Sequence, residues 1–91
     1  VNRQQRIARI IRDAAFAVGV QGHGCESAIE IAVRDAGNLG TSKENVIGAL
    51  CDFYYGGSLL TWDEIVRVLD ADKQRRFKFL EAAADFYGGG N

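Results

Sequence analysis

The sequence predicts an all-α fold, and three observations carry that prediction. Apolar residues recur at helical spacing in five segments, and no segment keeps a period of two over more than a few residues. Glycines fall in clusters between the periodic segments, at 19–24, 37–40, 56–57 and 88–90, and proline is absent. Glycine tolerates the left-handed conformation that closes helices, so the clusters read as helix stops.

The first element is expected over 3–18. Ile7, Ile10, Ile11, Ala14 and Val18 share one face, with Arg6, Arg9 and Arg12 on the other side and Phe16 among them. The stretch GVQGHG after it reads as a flexible hinge. Segment 26–36 collects Ala28, Ile29, Ala32, Val33 and Ala36, and leaves Ile31 on its polar side beside Asp35. Segment 43–55 collects Val46, Ile47, Leu50, Phe53 and Tyr54 behind a capping box at Thr41-Ser42-Lys43-Glu44. Gly48 is the one glycine inside a periodic segment, where it costs about 1 kcal/mol relative to Ala. Segment 62–70 repeats the capping box with Thr61-Trp62-Asp63-Glu64 and is expected to bury Ile65, Val66, Val68 and Leu69. The last helix, 73–87, is capped by Asp72 and carries Phe77, Phe79, Leu80, Ala83, Ala84, Phe86 and Tyr87.

These elements make a compact five-helix domain spanning 1–91: helix 3–18, hairpin 26–55 and hairpin 62–87. The two hairpins admit an internal duplication. At an offset of 33, residues 24–58 match 57–91 at nine of 35 positions, among them Asp52-Phe53-Tyr54 with Asp85-Phe86-Tyr87. That period suits a two-helix repeat, but the signatures of the tetratricopeptide and ankyrin repeats are missing.

Composition bounds the function. The chain has 91 residues, 47% apolar and 25% charged, so one small packed core is expected. Two cysteines do not make a disulfide scaffold, and no apolar run approaches the roughly 20 residues of a membrane span. No secretory signal is evident, which points to a cytoplasmic protein without membrane contact. The net charge of −1 conceals segregation: residues 1–24 carry +3, 25–72 carry −6 and 73–91 carry +2. Two basic segments flanking an acidic middle either fold onto it or offer a patch to a nucleic acid or an acidic protein.

Motifs for chemistry are weak. His23, Cys25 and Cys51 could supply three zinc ligands, but a second close pair is lacking, and so is the zinc-deaminase pattern. Asp70, Asp72, Gln74 and Glu81 outline a calcium loop, yet Arg75 replaces its glycine and Arg76 and Lys78 intrude. One histidine, no nucleophile elbow and no phosphate loop argue against an enzyme, and no cofactor or small-molecule ligand is inferred. Helices 26–36 and 43–55 have helix-turn-helix proportions. The turn between them is long, however, and the second helix opens on Lys43-Glu44-Asn45 with a single base.

The expected function is therefore non-catalytic binding of a protein partner, or of a second copy. Arg6, Arg9, Arg12, Phe16, Phe77 and Phe79 are the candidate contacts, because wide apolar helices on so short a chain leave apolar surface outside. The alternative is a nucleic-acid-associated regulator using Arg6, Arg9, Arg12, Lys73, Arg75, Arg76 and Lys78 on phosphates.

Overall fold

A computed structural model describes residues 2–37, 41–54 and 60–89. It contains five helices, α1 (Arg3–Gln21), α2 (Cys25–Ala36), α3 (Lys43–Phe53), α4 (Trp62–Asp70) and α5 (Lys73–Tyr87), and no strand among the described residues. The fold is all-α, as the apolar periodicity predicts.

Local capping explains most of the boundaries. Asn2 and Gln5 form a reciprocal capping box at the start of α1. Thr61 and Glu64 do the same for α4, and those bonds hold the Glu64 carboxyl below its ordinary range. Asp72 Oδ1 accepts from the amides of Gln74 (2.9 Å) and Arg75 (3.3 Å) at the start of α5. The expected box at Thr41 is displaced by one residue. Ser42 is the cap, its Oγ accepting from Asn45 at 3.2 Å, without a reciprocal carboxylate.

Two boundaries differ from the sequence expectation. Helix α1 runs through Gly19 and Val20 to Gln21 and closes at Gly22, whose φ of 74° lets the His23 amide donate back to the Ala17 carbonyl. Gly19 is thus a helical residue. A Cβ there would lie 2.8 Å from Phe77 Cε1, so its role is close packing between helices. Helix α3 ends at Phe53 rather than at residue 55. Tyr55 and the stops expected at 38–40, 56–57 and 90 lie outside the described residues.

Helix α1 is the central pillar. Its 19 residues span about 28 Å, nearly the 33 Å length of the molecule. It packs antiparallel against α5, with Arg12 beside Asp85 and Gly19 beside Phe77, and it packs against α2 on its other flank. Burial from two sides explains why Ala8, Ala15 and Ala17 join Ile7, Ile10, Ile11, Ala14 and Val18 in the core. Ala28, Ile29, Val46, Leu50, Leu80, Ala83 and Ala84 complete it. A smaller cluster of Cys25, Ile65 and Leu69 holds α4 in place. Val68, expected in that core, is 38% exposed at its rim, since only the i, i+4 pair Ile65 and Leu69 points fully inward.

Polar links fix the helices that pack least. The Trp62 indole donates to Glu26, and Lys43 Nζ bridges Glu26 (2.8 Å) and Glu30 (2.7 Å), joining α2, α3 and α4. The lysine and the indole together hold the Glu26 carboxyl below the usual range. Tyr87 Oη donates to the Ala49 carbonyl at 2.6 Å, tying the end of α5 to α3.

Candidate functional site

The outward face of α1 carries the candidate contacts in one stripe. Gln5, Arg9, Arg12, Phe16 and Val20 follow at intervals of three or four residues, and all are exposed. Phe16 is 61% exposed and Val20 is 67% exposed, the least covered large apolar side chains among the described residues besides Phe86. The stripe thus passes from cationic in its first half to apolar in its second.

A cleft opens along this stripe where α5 crosses it. Phe16, Gly19, Val20, Lys73, Gln74 and Phe77 line it, with a volume of about 370 Å³. Its form depends on Gly19. Without a side chain there, the half-buried Phe77 ring lies against the α1 backbone and becomes a wall of the cleft. On the other flank of Phe16, a shallower groove of about 260 Å³ runs toward Ile31 and the carboxylates of Asp13 and Asp35.

The structure brings together Phe16 and Phe77 but not Phe79. Residues two apart on a helix differ by about 200° in direction. Phe79 therefore joins α3, with ring centroids 5.7 Å from Phe53 and 5.6 Å from Tyr54. Phe86 and Tyr87 extend that aromatic cluster. Phe79, half-buried in this cluster, lines a different cleft of about 430 Å³ with Tyr54, Val68 and Arg75, away from Phe16.

The basic residues also divide. Arg9 is exposed on the stripe, and Arg12 pairs with Asp85 at 2.7 Å while staying exposed. Arg6 is half-buried beside the stripe. Lys73, Arg75 and Lys78 are exposed on α5. Arg76 is internal, 7% exposed, and cannot reach a phosphate as the sequence reading expected. Its Nε donates to the His23 carbonyl at 3.1 Å, and its Nη1 reaches the carbonyls of Asp70 (3.3 Å) and Leu69 (3.5 Å). The same nitrogen lies 3.9 Å from the Asp70 carboxylate. That carboxylate in turn accepts from the Cys25 amide at 3.0 Å, capping α2, whose own cap residue Gly24 has no side chain to do so. Arg76 and Asp70 therefore tie the end of the GVQGHG connection, whose first three residues are helical, to α4 and α5.

The antiparallel pairing of α1 and α5 sets the two basic runs apart. The run 3–12 lies beside the end of α5, and the run 73–78 lies beside residues 18–23. Along the helix axes their centres are about 20 Å apart.

The cysteines are placed as packing groups. Burial, helped by the Asp70 carboxylate, pushes the Cys25 thiol up to about 12. Burial raises Cys51 as well. A protonated, enclosed thiol is a poor nucleophile. Among the described residues no three His, Cys, Asp or Glu side chains gather to hold a metal, and no helix is long and apolar enough to cross a membrane.

Sequence reasoning missed Val20, Gly19 and the Arg76–Asp70 lock. Val20 follows Phe16 at i+4, a legible signal once α1 is allowed to continue past Gly19. The lock ties Arg76 and Asp70 to His23 and Cys25, more than 40 residues away, and leaves no local pattern. The chain matches no protein-family model, and no curated protein or solved structure is significantly similar to it.

Proposed function

We propose that this protein is a non-catalytic protein-binding module that docks its partner on the outward face of α1. The observation that carries the reading is the adjacency of Phe16 and Val20, one helical turn apart and mostly exposed, over a cleft walled by Phe77. Neither side chain is rewarded by burial within the monomer. Burying an apolar side chain of this size is worth about 1.5–3 kcal/mol, so two of them anchor a modest interface. Arg9 and Arg12 continue the same stripe and suit carboxylates on the partner. The module acts by covering or tethering what it binds, and self-association is one form of such docking.

Two observations weigh against nucleic-acid contact as the main role. Arg76 is spent on internal carbonyls, and the remaining basic residues form two separated groups. Backbone binding to nucleic acid depends on many cations acting on one surface.

The test is capture of partners from the organism that encodes the chain. Wild type should retain a protein that the double variant Phe16→Ser, Val20→Ser loses. Phe86→Ser, an exposed aromatic in the separate α3–α5 ring cluster, should retain it. Retention by the double variant, or loss only with Phe86→Ser, overturns the reading. In parallel, labelled duplex DNA is titrated at low and high salt. Steeply salt-dependent binding that ignores Phe16→Ser would favour the nucleic-acid alternative.

A further inference from the structure

The cleft beneath Phe16 has a chemical character that narrows what fits it. Its walls are Phe16, Val20 and Phe77, and its floor is the bare backbone at Gly19. The one charged residue lining it is Lys73. Lys78 is exposed one turn beyond Gln74 on the same side of α5, and neither lysine forms an ion pair among the described residues. Two of the acids nearby are already engaged. Asp72 is committed to capping α5, and Asp85 is paired with Arg12 at the far end of the groove. Asp13 and Asp35 line the opposite flank of Phe16. Glu81 stands a turn further along α5, toward the Arg12 end.

We infer that this cleft receives an acidic segment of another protein, inserting one bulky apolar side chain against Gly19 and Phe77 with its carboxylates on Lys73 and Lys78. The inference rests on the docking reading above and names the chemistry of the partner. Charge complementarity favours this occupant over a second copy. In a pair docked cleft to cleft the same patch faces itself, and a cleft whose lining holds a lysine and no carboxylate offers Lys73 no counter-charge. The apolar walls favour it over a nucleic acid, whose phosphates gain nothing from Phe16 and Phe77.

Gly19 is the positioning residue of this site. An alanine there would place its Cβ 2.8–2.9 Å from the Phe77 ring, and the ring would have to swing into the cleft. Substitution at Gly19 should therefore close the site from inside while leaving the helices formed.

The experiment pans a random peptide library on the immobilised full chain, then measures the enriched peptides by fluorescence anisotropy. Enriched sequences are expected to pair a large apolar residue with Asp or Glu. Their affinity should drop about tenfold or more in about 0.5 M salt, with Lys73→Glu, Lys78→Glu, and with Phe16→Ser. Gly19→Ala should weaken binding while its helical circular dichroism stays that of wild type. Lys73→Arg, Lys78→Arg should bind as wild type does. Enriched peptides that are neutral or basic yet depend on Phe16 overturn the inference and leave the docking reading standing. So does a dimer, seen by sedimentation equilibrium, that Phe16→Ser breaks. Peptides indifferent to both Phe16 and Val20, or no enrichment at all, overturn the reading as well.

Discussion

Phe77 and Phe79 stand two residues apart on α5 and meet opposite fates. Phe79 enters an aromatic cluster in which rings from α3 and α5 lie 5.0–5.7 Å apart in tilted and edge-on contacts. Phe77 touches the α1 backbone at Gly19, and neither it nor Phe16 stacks on another ring among the described residues. In the cluster, rings lean on other rings within the chain, which stabilises the fold, although Phe86 stays 62% exposed at its edge. In the cleft, Phe16 and Phe77 have no ring to lean on among the described residues, and Phe16 is left 61% exposed. Residue type does not separate the two regions. What separates them is the helix that α5 meets on each side: one with side chains to offer, the other with a glycine.

Ways to break this comparison start with Arg76, next to Phe77 on α5, where the largest effect is expected. Arg76→Met removes the link from α5 to the His23, Leu69 and Asp70 carbonyls and takes the cation away from the Asp70 carboxylate, which keeps the Cys25 amide. We expect a loss of about 3 kcal/mol in urea unfolding, because orphaned buried carbonyls and a lost charge partner both contribute. A loss below about 1 kcal/mol would show that water replaces the guanidinium at little cost.

Phe79→Ala and Phe16→Ala sharpen the comparison directly. The first should cost about 2–3 kcal/mol, below the range for a fully buried ring because Phe79 is only half-buried. The second should stay within about 0.5 kcal/mol of wild type. Equal losses would mean that Phe16 stabilises the monomer, and the contrast between the regions would collapse.

The two helical glycines give a smaller effect of opposite sign. Nothing lies within 4 Å of a Cβ built on Gly48, so Gly48→Ala should raise stability by up to about 1 kcal/mol. Gly19→Ala gains the same propensity but must displace Phe77, so its net effect should be a loss. In a Phe77→Ala background the sign should reverse, and a thermodynamic cycle on the four proteins reads the coupling. Without reversal, Phe77 is not what excludes the methyl group.

The smallest expected effect is on the acid limb. Lys43 and Trp62 depress the folded Glu26 carboxyl below its unfolded value. Its stabilisation is therefore present above about pH 4.5 and is lost as the pH falls through the folded value. The gap in melting temperature between wild type and Glu26→Gln should be open at neutral pH and close as the pH falls through the folded Glu26 value, which lies below the ordinary 4.5. A gap that ignores pH would assign the effect to shape rather than charge.

Much of the fold was legible because it is local. The periodicities of 7–18, 28–36 and 46–54 place the core faces, and the Thr61–Glu64 box and the Asp72 cap start their helices where the pattern says. The candidate site was legible in part. Phe16 stands out as an apolar residue on an arginine face, and Phe77 as the edge of a wide apolar arc. That Phe79 lies apart from Phe16 and Phe77 was not legible, because the arc is wide enough to touch two neighbours and only their positions say which one each ring meets.

The sequence by itself determined five helices, the caps of α4 and α5 and most of each inward face, since these follow from hydrogen bonds and spacings within a few residues. Tertiary structure decided the rest. It turned Gly19 from a stop signal into a contact point, because the α1–α5 crossing falls there and leaves no room for a Cβ. It drew Arg76 inside, because the ends of α4 and of the α1–α2 connection present carbonyls that need a donor. It also set the two basic runs about 20 Å apart, because α1 and α5 run antiparallel. Each of these depends on residues more than 40 positions apart in the chain or on the direction of a whole helix, and no local pattern encodes that.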